Sequence, residues 1–307
     1  MSLALLFPGQ GSQHAGALRW LDRRSEATQT LQLMAATLGA DWRTRLPDAA
    51  WAASNEIAQP LVTGLSLAAW QCLADKLPRP AVIAGYSVGE LAAFAAAGVF
   101  DASTAMTLAG ARAGAMERSA AGHATGLMAV HATALRRIAP SCERHGLSLA
   151  IRLSSDSCIV GGLASSLDAA QAEWMAAGIR CTRLAIHVAS HTRWMANAAT
   201  EFAQRLGSVR FAVPQVALVC NESAALSREP NELARCLAAQ IASPILWDSC
   251  LEAIAERGVR CVLEVGPGTA LSALWRGRYP DIPVRSVDEF GSPEAVAAWV
   301  SKMGFNA

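Results

Sequence analysis

Lysine is almost missing from this sequence: among 307 residues it stands only at Lys76 and Lys302, and the rest of the positive charge is arginine. The formal net charge is +1, so no excess of one sign argues for nucleic acid as a partner. No apolar run reaches the roughly 20 residues that a membrane-spanning helix needs. The opening stretch, Met1 to Phe7, lacks a basic segment and runs straight into Pro8, which excludes a signal peptide of the usual kind. No C-x-x-C pair occurs among the eight cysteines (Cys72, Cys142, Cys158, Cys181, Cys220, Cys236, Cys250 and Cys261), so neither a zinc site nor a disulfide frame is expected. They read as reduced core thiols of a cytoplasmic protein. No internal repeat or low-complexity linker divides the chain.

What is present is apolar: 52% of residues are hydrophobic and only 17% charged, the balance of a well-buried globular protein. The length suits one large domain, or one with a smaller insert. Leu3 to Phe7 reads as a buried parallel strand, and Ala81 to Ala84 as a second. Apolar spacing predicts helices over Arg23–Ala40, Ile57–Leu77 and Ala102–Arg118. From Gly126 the rhythm changes to strand, helix, strand, strand, helix, strand, ending at Val188. That β-α-β-β-α-β order is the ferredoxin-like pattern. It predicts an insert over residues 125–189 in a larger body formed by 1–124 and 190–307. In that body a strand at Val216–Val219 ends near Asn221. A helix over Asn231–Ile241 is stopped by Pro244, and another helix spans Ile245–Glu256. Strands follow at Cys261–Val265 and Val284–Val287, and a helix at Pro293–Lys302. Alternation of strands and helices argues a parallel sheet.

Chemistry gathers at Gly85-Tyr86-Ser87-Val88-Gly89. The pentapeptide alone arises readily by chance. With a strand before it and a helix after it, it has the pattern of a nucleophile elbow. The sharp turn lifts the Ser87 hydroxyl clear of the sheet and turns the Val88 N–H toward any oxyanion formed there. A serine needs a base, and His191 is the best placed of the six histidines, at a junction into a helix of the larger body. A core or capping histidine is the alternative. His187 lies four residues earlier, but no third metal ligand accompanies the pair, so no metal is expected. Between Ser87 and His191 the available acids, Asp156 and Asp168, fall in the insert, which points to a neutral group orienting the imidazole. Arg112 lies mid-helix among small residues, and either reaches solvent or, facing the cleft, needs an anion. The loop Phe7-Pro8-Gly9-Gln10-Gly11-Ser12-Gln13 reads as a strand-to-helix turn, or as one that brings a backbone N–H to a ligand. No G-K-[ST] follows it, so it is not a phosphate loop.

These stretches, together with Gln59-Pro60, Glu90, Gln240 with Pro244 and Trp247, and Glu264-Val265-Gly266-Pro267-Gly268, resemble malonyl-CoA:acyl carrier protein transacylases and the related polyketide synthase acyltransferases. The resemblance covers essentially the whole chain. It implies an α/β-hydrolase-like core with a ferredoxin-like insert. It implies Ser87 as nucleophile and His191 as base, with the main-chain carbonyl of Gln240 holding the imidazole. The amides of Val88 and Gln10 would form the oxyanion hole, and Arg112 would grip the malonyl carboxylate. Malonyl-CoA is then the donor, an acyl carrier protein the acceptor, and no cofactor is called for. The same likeness extends to the transacylase subunit of malonate decarboxylase, so fatty acid, polyketide and malonate-decarboxylase service all stay open. The chain departs from the usual pattern at Tyr86, where a histidine is common, at Val188-Ala189-Ser190-His191, and at Leu153, where many members carry asparagine. Two other readings stand beside it. A serine esterase or thioesterase predicts an acid within reach of His191. A non-catalytic carrier-binding subunit predicts that Ser87 is dispensable.

Overall fold

Leu3–Phe7 is a run of five apolar residues with every side chain buried, and the largest sheet is laid out around it. The computed structural model describes residues 2–304. Its strands are β1 (Leu3–Phe7), β2 (Val82–Gly85), β3 (Thr125–His131), β4 (Ser148–Arg152), β5 (Cys158–Leu163), β6 (Arg180–Arg183), β7 (Ala217–Val219), β8 (Leu226–Ser227), β9 (Ile245–Leu246), β10 (Cys261–Glu264) and β11 (Val284–Ser286). One sheet has the order β11-β10-β1-β2-β7-β8, the other β6-β3-β5-β4-β9.

Strand residues alternate between two cores. Leu3, Leu5 and Phe7 join Ile83, Leu218 and Leu263 on one side of the large sheet. Ala4 and Leu6 join Val82, Ala84, Val219 and Val262 on the other. This is why the strands read as continuous apolar runs: both faces are covered. Helices Asn55–Leu73, Gly89–Ala96 and Ala102–Ala120 pack on the first side. Helices Trp247–Ala255 and Ala270–Arg278 cover the second. There they meet Leu127, Ala129, Ile151 and Ile159 from the inner face of the smaller sheet. The outer face of that sheet, with Met128, Val130 and Val160, packs on Ile138, Leu167 and Trp174 of helices Leu135–Arg144 and Ala164–Ala176.

The α/β-hydrolase-like parallel core with a ferredoxin-like insert is corrected by this topology. The large sheet is mixed, because β8 runs antiparallel to β7. The smaller sheet is not a self-contained insert. Its strand β9 comes from residues 245–246, far outside 125–189, and pairs in parallel with β4. The inner face of that sheet also shares one core with the large sheet. The reason is local. A two-residue strand carries no periodicity, so a helical reading of Ile245–Glu256 absorbs β9; the helix begins only at Trp247. Likewise only Arg180–Arg183 of the stretch ending at Val188 pairs with β3. Leu184 to Val188 leaves the sheet and runs as irregular chain.

Gly89 opens the helix after the elbow, and a Cβ there would lie 2.2 Å from the carbonyl oxygen of Phe7 and 2.7 Å from that of Pro8. In an open helix Gly→Ala stabilises by about 0.5–1 kcal/mol. Here the sign should reverse: Gly89→Ala is expected to destabilise by about 1–3 kcal/mol, read from the midpoint of urea unfolding. An unchanged or higher midpoint would contradict the close approach of the two backbones.

Candidate active site

Strand β2 ends at Gly85, and the chain turns at Ser87 with φ of +56° before entering the helix Gly89–Ala96. A left-handed serine is strained, so the turn that exposes its hydroxyl keeps that torsion only because the surroundings hold it. The Ser87 N–H does not go unpaired there: it donates to Asn221 Oδ1 at 2.7 Å.

His191 approaches from the other side. It too is left-handed, with φ of +62°. Its N–H donates to the carbonyl of Ile241 at 2.8 Å. Its ring Nδ1 lies 2.5 Å from the Gln240 carbonyl oxygen, which can only accept, so Nδ1 carries the proton. Nε2 is then the free lone pair, 2.8 Å from Ser87 Oγ, and the hydroxyl donates to it. Burial of the ring, followed by the nearby Arg112 charge, pushes its pKa down to about 3 against the opposing pull of the Gln240 carbonyl. At neutral pH His191 is therefore an unprotonated imidazole aimed at a serine hydroxyl, the state a general base requires.

Arg112, in the middle of helix Ala102–Ala120, does not reach solvent; it is 1% exposed. Nη1 donates to Gln59 Oε1 at 2.7 Å, and Nη2 to Gln240 Oε1 at 3.2 Å and Ser87 Oγ at 3.4 Å. Burial lowers its pKa to about 10, which leaves it charged at neutral pH. Among the described residues it makes no ion pair within 4.0 Å; its hydrogen-bonded partners are neutral. Glu90 is the acid that acts on it electrostatically, and burial raises the Glu90 pKa well above the carboxylate range, toward the neutral form. The guanidinium beside the hydroxyl is thus held by neutral groups, with no carboxylate in contact with it among the described residues.

Gly9 lies against the elbow: a Cβ there would be 2.7 Å from the Tyr86 carbonyl oxygen and 3.6 Å from Ser87 Cβ. The side-chain Nε2 of the adjoining Gln10 donates to the Ala53 carbonyl at 3.2 Å. Gln10 also lines a cleft of about 320 Å³ with Asn55, Glu117, His187 and Val188, and a second of about 560 Å³ with His14, Leu46 and Leu184. Ala53 and Ile186 are common to both, so the irregular stretch after β6 forms one wall. His187 stands on that wall while His191 faces Ser87, and no group of three potential metal ligands occurs among the described residues. Tyr86 packs edge-on against Trp247, ring centroids 5.0 Å apart.

Ser87, His191, Arg112 and Gln240 meet in one place; Val88 follows Ser87 directly, and Gln10 follows Gly9, which packs on the elbow. Sequence reasoning gave no role to Gln59, Glu90 or Asn221, all buried and all hydrogen-bonded within this site or directly behind it. The available signal was a polar residue inside an apolar run, as at Gln59, or directly after one, as at Asn221.

The acyl transferase domain family matches residues 4–287. A malonyl CoA-acyl carrier protein transacylase of Mycobacterium tuberculosis is 31% identical over 296 residues, covering 93% of this chain and 96% of its own. Its counterpart in Escherichia coli K12 is 30% identical over 307 residues, covering 96% and 97%. Among solved structures, an acyl carrier protein S-malonyltransferase of Vibrio cholerae superposes with a TM-score of 0.88 at 28% identity, over 96% of this chain and 100% of that one. A malonyl-transacylase in complex with a type II polyketide synthase acyl-carrier protein gives 0.90 at 26% identity, over 97% and 99%.

With a His191 pKa of about 3 and a base that must be neutral to act, serine reactivity should not fall on acidification through the ordinary histidine range. Labelling of Ser87 by an alkyl fluorophosphonate is expected to proceed at a constant rate from pH 8 down to 5. An acid limb with an inflection near 6.5, the ordinary histidine value, would show that the ring is not held in its buried, neutral state.

Proposed function

The chain belongs to the malonyl-CoA:acyl carrier protein transacylase family, and we propose that Ser87, His191 and Arg112 carry its reaction. It is an acyltransferase that moves a malonyl group from malonyl-CoA to the thiol of an acyl carrier protein. The observation that supports the roles best is the buried guanidinium 3.4 Å from Ser87 Oγ, which has no ion-pair partner among the described residues. A malonyl thioester brings a free carboxylate, and Arg112 receives it as the counter-ion it otherwise lacks.

Ser87 Oγ attacks the thioester carbonyl while His191 Nε2 takes the hydroxyl proton. The oxyanion accepts the N–H groups of Val88 and Gln10, each worth about 3–4 kcal/mol of barrier. The imidazolium formed is stabilised by the Gln240 carbonyl on Nδ1 and returns its proton to the departing CoA sulfur. The carbon–sulfur bond breaks and malonyl remains as a serine ester. In the second half the carrier's pantetheine thiol gives its proton to His191 and attacks the ester, and Ser87 leaves with the proton restored: a ping-pong path. The substrate carboxylate on Arg112 also offsets the charge that depresses the His191 pKa, so the donor strengthens the base as it binds.

The clefts behind Gln10 suit the pantetheine arm. Residues 1–124 and 190–307 supply all of these side chains, and 125–189 acts as a subdomain that walls the entrance. A serine esterase is disfavoured, because His191 Nδ1 meets a main-chain carbonyl, not an acid, and Arg112 faces the hydroxyl. The eight unpaired thiols, most of them buried, suit a reducing, cytoplasmic setting.

Incubation with malonyl-CoA alone should leave a malonyl adduct on Ser87, visible by peptide mass spectrometry and absent in Ser87→Ala. An unmodified Ser87 in the wild type would overturn the assignment. Arg112→Ala should lower kcat/KM for malonyl-CoA by about 10- to 100-fold, the loss of one or two hydrogen bonds to a charged group. Transfer from acetyl-CoA, which carries no carboxylate, should be spared. An equal loss for both donors would assign Arg112 to structure instead of to carboxylate binding.

A further inference from the structure

The roles above leave the side chain of Asn221 unexplained. It is fully buried, two residues beyond β7, and all of its hydrogen-bonding groups are engaged. Oδ1 accepts the Ser87 N–H at 2.7 Å and Nδ2 donates to the Gly85 carbonyl at 2.6 Å. Its own N–H donates to Glu90 Oε1 at 2.7 Å, and its carbonyl accepts from Leu246 N–H at 3.0 Å. The β2–β7 pairing stops at Ala84 and Val219. Beyond that point the carboxamide of Asn221 takes over as a peptide mimic, one acceptor and one donor bridging residues 85 and 87 across the elbow.

The chemistry of the position is restrictive. The turn needs a donor for Gly85 and an acceptor for Ser87 at once, and only a carboxamide supplies both at this length. Without it the part-buried Ser87 N–H loses its partner, and the left-handed serine loses a bond that helps offset its cost. Glu90, in the first turn of the helix that follows, fixes the backbone of Asn221, and Leu246 ties it to β9, the strand that joins the two sheets.

We propose that Asn221, braced by Glu90, is a positioning residue for acyl transfer: it sets the elbow torsion that holds Ser87 Oγ within 2.8 Å of His191 Nε2 and aims the Val88 N–H into the oxyanion site. The inference rests on Ser87 being the nucleophile. It places the effect on the rate of the chemical step and not on donor binding, because Asn221 lies behind the elbow with its carboxamide engaged by Gly85 and Ser87.

The test is rapid-quench acylation by malonyl-CoA of wild type, Asn221→Asp and Asn221→Ala. The amplitude counts competent protein, and the rate constant reports geometry in those molecules. A misplacement of the reacting atoms of up to about 1 Å costs up to about 100-fold. The rate constant at saturating donor should therefore fall by about 10- to 100-fold in both variants, with half-saturation shifted less than threefold. A wild-type rate constant with only a smaller amplitude or a lower melting temperature would overturn the proposal and leave Asn221 a stability residue. So would a loss carried entirely by half-saturation. If the Asn221 variants do not fold, the Glu90 pair decides. Glu90→Gln keeps an acceptor for the Asn221 N–H and should acylate at least fivefold faster than Glu90→Ala; equal rates would overturn the brace. Failure of the wild type to acylate at all would instead remove the reading of Ser87 on which the inference rests.

Discussion

The hydrogen bond from His191 Nδ1 to the main-chain carbonyl of Gln240 is the constraint on which the site depends. A carbonyl can only accept, so it settles which ring nitrogen carries the proton and leaves Nε2 free for the Ser87 hydroxyl. An aspartate in that place would also stabilise the imidazolium, but at the cost of a second buried charge. This site already buries Arg112, and a carboxylate nearby would compete with the substrate for it. A neutral orienting group therefore suits an enzyme whose donor is itself an anion.

Gln240 does more than hold the ring. Its side-chain Oε1 accepts from Arg112, and its Nε2 donates to the Ser87 carbonyl at 3.4 Å. One residue thereby touches Ser87, His191 and Arg112. Gln59, itself the recipient of no charge, holds the other Nη of Arg112 and donates to Asn55 at 2.6 Å, on the cleft wall. Amide oxygens fix the guanidinium without neutralising it. The result is a positive charge fixed beside the serine, paired with a histidine that burial first, and that charge second, keep unprotonated.

The scaffold explains how parts so distant in sequence are held within hydrogen-bonding distance. The elbow stands between β1 and β7, and the loop after β1 lies on it through Gly9. The residue after β7 and its neighbour, through Asn221, grip it from behind. The carbonyls of Gln240 and Ile241, at the end of helix Pro230–Ala239, hold His191. Strand β9 then binds this assembly to the smaller sheet. The two sheets share a core, so the wall of the cleft and its catalytic floor are parts of one packed unit.

How much of this was legible follows from the range of each interaction. The buried strands, the serine turn and the helix carrying Arg112 are local patterns, and apolar runs and glycine spacing expose them. Ser87, His191, Arg112 and Gln240 were identifiable as a set through resemblance. Composition and spacing alone left His191 and Arg112 with bland alternatives. The mixed sheet was not legible, because β8 and β9 are two residues each and owe their pairing to partners elsewhere in the chain. The duties of Gln59, Glu90 and Asn221 were equally hidden, since a buried amide or carboxyl has no periodic signature. By itself the sequence determined where the longer strands and helices form and which side-chain types were available for chemistry, because backbone preference and side-chain type are local properties of the chain. Only the tertiary structure decided which nitrogen of His191 carries the proton, the neutral partners of buried Arg112 and the grip on the elbow, because burial and hydrogen-bond partnership come from residues that the chain brings together only when it folds.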